Sequence, residues 1–530
     1  MQQNVSRSRW IIVAGVVGLM LLGCIPRIVG LAGWDLSGDD AGHLRLAALS
    51  PAQIVTASLQ HDTHPPLSYL ILWGLARTPL IHHPLGPRLI SLIPGLLLIP
   101  LLYRLGRAAG NSTAGMAFAV LGAFANQVVL QSQTVRQYSL LLCFLALMLI
   151  AFFERKSGWR SLYLAASALA LMTHYGALFT VAGCGVVEFL RLLRERQVRD
   201  AVDWSLLHVP LVLLVAVELG LYLTSGGPIP GQTYMRSAML GSVGSVPERT
   251  AEVVSSLVFG DAPLRWLAPA SIVASIAWLA VRRRHVLCLI SLVPLALNLV
   301  CAAAGLFPFA ANRWSLHLLP TLFLPPVVAL GALRDRLDRR HWAWTAAVAT
   351  LAFLVVEITT PRGGLFRPDE MRKYDELGAH WNRKLADVQA VSAMLEQRSA
   401  LSPIALLVGQ DEVRRRPFDI ELGVGSRQLA ARSALLECDV WSLGPPDVAS
   451  CVRATLDSSP VQGPLWVIVD AGPGKGRFQD ANDCLSIAER FDLETLTLLR
   501  LEANVAETIN RCSSSLRSVH VRAVSGVPQS

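Results

Sequence analysis

Apolar runs of about 20 residues recur from Trp10 to Thr359, separated by short basic junctions. About 20 apolar residues in a helix span the hydrocarbon core of a bilayer. The runs therefore predict crossing helices near 10–31, 87–103, 114–131, 138–153, 161–174, 176–192, 204–224, 265–281, 285–305, 314–331 and 342–359. That makes about 11 transmembrane helices. Beyond them the pattern changes. A polar helical stretch ("DEMRKYDELGAHWNRKLADVQAVSAMLEQ") leads into short apolar runs, "PIALLVG", "PLWVIVDAG", "TLTLLRLE" and "SVHVRAV". Helical patterns such as "ANDCLSIAERF" fall between them, so the tail reads as a small α/β domain. The expected organisation is a mostly α, polytopic membrane domain over 1–361 and a soluble α/β domain over 362–530.

Basic residues favour the cytoplasmic side of a membrane, and this sets parity. Arg7 and Arg9 place the N-terminus inside, as an uncleaved first span. The junctions "YRLGRAAG", "ERKSGWR", "RLLRERQVR", "RRRH" and "RDRLDRR" should also be inside. Between span one and "YRLGRAAG" lie two apolar runs, and parity allows one to cross. The run over 65–80 is short, opens with Pro65-Pro66 and carries Arg77, so it should lie in the interface. The C-terminal domain then falls outside the cell. The outer loops are 32–86, 132–137, about 174–175, 225–264 and 306–313.

Composition agrees with this reading. Of 530 residues, 53% are hydrophobic and 16% charged, fewer charges than a soluble domain carries. Mean hydropathy is +0.46. The net charge of +9 resides largely in the inside junctions, which removes the case for a nucleic-acid partner. Cys24, Cys143, Cys184, Cys288 and Cys301 fall in apolar spans as core residues. Cys438, Cys451, Cys484 and Cys512 fall in the outer domain, where up to two disulfides can form in any of three pairings. "GPGKGRF" lacks the spacing of a phosphate loop and reads as a turn.

Four polar clusters interrupt the apolar pattern, all on the outer face: "SGDDAGHLRL", "QHDTHPPLSY", "QTVRQYSL" and "MTHYG". A fifth, "FAANRWSLHLLP", opens a later span. Ionisable residues near a bilayer are costly and often mark a functional path. The outer arginines Arg45, Arg77, Arg136, Arg236, Arg249 and Arg313 run against the charge rule, which suits them to holding an anion. The bland readings are a solvated loop, a headgroup-anchoring arginine, and an acidic pair favoured by a helix N-terminus.

The order of Asp39-Asp40, "HPPL" (64–67), "RQY" (136–138) and "NRW…LLP" (312–320) resembles the GT-C type of polytopic glycosyltransferase. The specific likeness is to the protein O-mannosyltransferase-like family 39 and the related aminoarabinose transferases, and it covers about residues 10–330. It implies an inverting transfer of a hexosyl or pentosyl group from a polyprenyl-phosphate-linked donor. The acceptor would be a lipid, glycan or protein on the outer face of a bacterial cytoplasmic membrane. In this resemblance Asp39 is the general base and Asp40 its acidic neighbour. Arg136, Tyr138 and Arg313 bind the donor phosphate, while His43, His64, His174, Tyr175 and Trp314 touch substrate or support those that do. Asp40 stands where the family has Glu, Trp314 where it has Tyr, and Thr63-His64 where the aminoarabinose branch has Glu-Lys. A divalent metal on Asp40, His43, His61 or His64 is therefore left open. The alternatives are a secondary transporter, or a non-catalytic membrane assembly factor for envelope glycans. A transporter would place ionisable residues near the midplane in repeated halves; here they gather at one edge.

Overall fold

The computed structural model describes residues 2–28, 31, 38–61, 64–82, 85–224, 246–259 and 266–336. It also describes six strands in the C-terminal region. Two compact units result. The first comprises residues 1–33 and 49–372, the second 34–48 and 373–530.

The first unit is a helical bundle. Its helices are α1 (Gln2–Ile28), α3 (Pro51–His61), α4 (Leu67–Leu75), α5 (Leu89–Ala109), α6 (Ser112–Phe124), α7 (Asn126–Gln131), α8 (Tyr138–Glu154), α9 (Trp159–Leu171) and α10 (Ala177–Arg194). They continue with α11 (Val198–Thr224), α12 (Val246–Phe259), α13 (Leu267–Val281), α14 (His285–Ala303), α15 (Leu319–Leu322) and α16 (Leu324–Arg334). Ten of the eleven expected spans coincide with helical segments; the last, 342–359, lies outside the described residues. Four described segments are long and apolar enough to cross a membrane: Leu89–Ala109, Val198–Leu221, His285–Ala303 and Arg313–Arg334. The chain is an integral membrane protein. Along Val198–Leu221 only 17% of the most apolar window is buried, so this hydrophobic helix turns its side chains outward, as lipid contact requires.

The interfacial run shortens to α4, whose nine residues rise about 14 Å and cannot cross. Within the expected outer loop 225–264 the structure instead has α12. Its buried positions Ala251, Val254 and Val258, with Val253 and Leu257, repeat at helical spacing.

The bundle has two chemically distinct ends. At one, Arg104 of α5 donates to Glu154 of α8 at 2.9 and 3.0 Å, and Lys156 joins the same carboxylate at 2.9 Å. Arg155 reaches Glu188 of α10 at 2.7 Å. Asn111 caps α6 by accepting from the Ala114 N–H, and its amide donates to Gly331 O and Asp335 Oδ2 at the end of α16. The five junctions expected inside thus include four tied to one another at this end. The fifth, "RRRH", joins them where Arg282 and Arg336 flank Trp278. At this same end, on either side of the turn that joins them, α5 and α6 approach closely. A Cβ on Gly115 would come within 2.6 Å of Tyr103 O, and one on Gly106 within 2.6 Å of Ala114 O, so only glycine permits this approach.

The second unit holds α2 (Gly38–Ala47) and a sheet of β1 (Ile404–Gly409), β2 (Ser433–Cys438), β3 (Leu465–Asp470), β4 (Ile487–Asp492), β5 (Leu496–Leu501) and β6 (Val521–Ala523). The strand order is β4-β5-β3-β1-β2-β6. β1 runs parallel to β2 and β3, with Leu406 opposite Leu435 and Trp466. β4, β5 and β6 pair antiparallel. All four expected strands are present, and β2 and β4 are additional. The helical reading of "ANDCLSIAERF" is overturned from Ile487 onward, where the chain pairs with β5 from Ile487↔Leu501 to Asp492↔Thr497. Its remaining residues, "GPGKGRF", Cys451, Cys484 and Cys512 lie outside the described residues, as does the side chain of Cys438.

Candidate functional site

At the end of the bundle away from the basic junctions, four of the five expected clusters meet, the fourth through His317. The "HPPL" segment is pinned by the Leu67 N–H donating to Met172 O at 3.0 Å, which joins the start of α4 to the turn after α9. The 132–137 turn is pinned through Ser91. Its hydroxyl donates to Arg136 O at 2.6 Å, and the Arg136 N–H donates to Ser91 Oγ at 3.2 Å. These two bonds set the backbone from which Arg136 and Tyr138 project; Tyr138 is the first residue of α8.

His174 is the hub. It lies in the turn between α9 and α10, outside both helices. Its ring centroid is 5.5 Å from that of His64, 5.3 Å from that of Tyr138 and 6.3 Å from that of His317. The Gly176 N–H donates to its Nδ1 at 2.9 Å, so the neutral ring carries its proton on Nε2. Burial holds His174 well below the usual histidine range, and the nearby His64, His317 and Arg136 act in the same direction. A Cβ on Gly176 would approach His317 Nδ1 to 2.6 Å, so a larger residue here would part the rings. His64, Arg136, Tyr138 and His174 are all buried.

Tyr175 is partly exposed beside this cluster in sequence. Arg313 and Trp314 are also partly exposed, and the Arg313 guanidinium lies 5.7 Å from the Trp314 ring centroid. Asp40 and His43 are buried on α2 in the second unit, three residues apart on one helical face. The backbone of Asp39 belongs to the same helix, while its side chain and that of His61 lie outside the described residues. Among the described residues, no group of three His, Cys, Asp or Glu is placed to hold a metal ion.

Three residues here were missed in the sequence reading. His317 comes from the same short helical segment as Arg313 (Asn312–Leu318) and is the member of that motif that joins the histidine cluster. Arg88, just before α5, is buried and donates to Leu31 O at 3.2 Å. Arg27, near the end of α1, is fully buried. It donates to Gly23 O at 2.6 Å and, 95 and 96 residues away, to Gly122 O and Ala123 O at 2.7 Å. Those carbonyls lie where α6 breaks before α7 and the helix no longer supplies donors. An arginine inside an apolar run was the available signal for both.

No protein-family profile matches the chain, and no curated protein sequence does. Solved structures do. Two structures of ArnT from Cupriavidus metallidurans, one bound to undecaprenyl phosphate and one apo, share 16% identity with the chain. They superpose with TM-scores of 0.53 and 0.52 over 94% of this chain and 99% of theirs. The apo oligosaccharyltransferase of Archaeoglobus fulgidus gives 0.51 at 12% identity, over 93% of this chain and 74% of that one. At such identities the likeness is one of fold, and the fold of this chain is therefore the GT-C type found in these glycosyltransferases.

Proposed function

We propose that the protein is an inverting glycosyltransferase. It takes a hexosyl or pentosyl group from a polyprenyl-phosphate-linked donor and passes it to a lipid, glycan or protein acceptor. The reaction takes place on the outer face of a bacterial cytoplasmic membrane. The observation that carries this reading is Arg136: a buried arginine beside a Tyr–His cluster, at one end of a bundle whose fold relative ArnT binds undecaprenyl phosphate. An anionic lipid headgroup leaving a sugar needs a cation where its charge develops.

In this reading Asp39 takes the proton from the acceptor hydroxyl or amine. The freed lone pair attacks the anomeric carbon opposite the phosphate. The carbon–oxygen bond breaks with its electron pair going to phosphate, and the configuration inverts. Arg136 and Arg313 bind the phosphate through planar multi-donor groups, and the Tyr138 hydroxyl donates to phosphate or sugar. His174, protonated on Nε2, offers one further donor. His43, His64, Tyr175 and Trp314 line the substrate path, and Asp40 supports its neighbour. The topology that goes with this chemistry has eleven spans, a cytoplasmic N-terminus and an extracytoplasmic domain beginning near residue 362.

The test uses membranes containing the full chain and a radiolabelled polyprenyl-phosphate sugar. Asp39→Asn, expressed at the normal level, should lower sugar transfer by roughly 10²–10⁴-fold, the range of general-base catalysis. Full transfer by this variant would remove Asp39 from the reaction. Uptake of a solute into proteoliposomes without any lipid donor would favour a transporter instead.

A further inference from the structure

A groove of about 650 Å³ lies between α6, α12, α13 and α16. Leu121, Leu267, Ala274, Phe323, Val327 and Leu330 supply apolar wall. Ser271 and Ser275 also line it, but the Ser271 hydroxyl donates to Ala268 O at 2.8 Å and the Ser275 hydroxyl donates to Ser271 O. Both hydroxyl protons are thus spent within α13, and the wall suits a hydrocarbon chain rather than a polar ligand. From Leu267 to Trp278 the groove follows α13 for eleven residues, about 16 Å at the helical rise. That is about half of the ~30 Å hydrocarbon core, the depth of one leaflet.

The mouth is basic. Arg336 and Trp278 both line the groove. The Arg336 guanidinium lies 5.9 Å from the Trp278 ring centroid, and that of Arg282 lies 5.5 Å from it. Both arginines are exposed, and neither pairs with a carboxylate among the described residues. They lie at the end that carries the Arg104–Glu154 and Asn111–Asp335 ties, not at the end that carries Arg136 and the histidines.

We propose that this groove is a binding site for an anionic glycerophospholipid of the surrounding membrane. One acyl chain fills the groove, the headgroup phosphate sits between Arg282 and Arg336, and the Trp278 ring covers the glycerol region. Two cations without a described counter-charge select an anionic headgroup over a zwitterionic one. The site is separate from the proposed sugar-donor site and does not depend on it, because its cations and its chain-sized wall belong to the opposite end of the bundle.

The test is native mass spectrometry of the full chain in mild detergent. Phosphatidylglycerol and phosphatidylcholine with identical acyl chains serve as probes. Phosphatidylglycerol should be retained roughly thirtyfold better, the effect expected for two nearby basic residues. Arg282→Ala combined with Arg336→Ala should bring the two lipids to parity, and Ala274→Trp should abolish phosphatidylglycerol retention by filling the groove. An unchanged melting temperature without lipid shows that each variant is folded. Equal retention of the two lipids by the native chain would overturn the site, leaving the arginines as ordinary interface anchors. So would a double variant that keeps the preference, or retention undiminished by Ala274→Trp.

Discussion

His174 is held neutral by burial first and by its positive and titratable neighbours second. A histidine in the unfolded chain titrates near 6.5. Above that pH both states are neutral at this position, and it contributes nothing to the pH dependence. Below it, the unfolded chain takes up a proton that the folded chain refuses, so stability falls as pH drops from 6.5. The melting temperature in detergent should therefore decline between about pH 6.5 and 5, and less steeply for His174→Gln. An identical slope in the variant would place the proton uptake elsewhere. At this scale the sequence was readable where a polar residue interrupts an apolar run next to a turn: His64, Arg136, Tyr138 and His174 all stand so, and all meet. Arg27 and Arg88 were not, because the carbonyls they bind are far away in the chain or in another element. His317 was passed over for the arginine four residues before it.

Among the elements, α6 and α16 depend on one side chain. Asn111 accepts from the first turn of α6 while donating to the last turn of α16, so it satisfies helix-end groups of both signs. Asn111→Ala should lower unfolding stability by about 1–2 kcal/mol, measured as a reduced melting temperature or denaturant midpoint. No change would mean that water replaces all three bonds. Helix positions followed from apolar run length, which a bilayer enforces strictly. α12 escaped because its pattern is amphipathic and too short to cross, so a search for long apolar runs passes over it. β4 escaped for a different reason. "IAERFD" has no alternation of apolar and polar residues, and its strand state comes from pairing with β5.

For the whole molecule, charge along the sequence predicted which segments would share an end, and the ion pairs at α5, α8 and α10 agree. Which end faces the cytoplasm is a matter of insertion, and the proposed orientation is open to direct measurement. A C-terminal alkaline phosphatase fusion at Ser530 should be active in intact bacteria, and a green fluorescent protein fusion at the same point dark. The reverse result would mean either a bundle of opposite orientation or an even number of spans.

Arg27 carries a consequence for biogenesis. A segment entering the membrane is judged largely on its own hydrophobicity, and an arginine counts against it. In the finished bundle the same residue closes the broken end of α6 with two hydrogen bonds. What weakens the first segment during synthesis thus strengthens it after assembly. The partner carbonyls emerge from the ribosome 95 residues later, so α1 must hold its place before it has its partner.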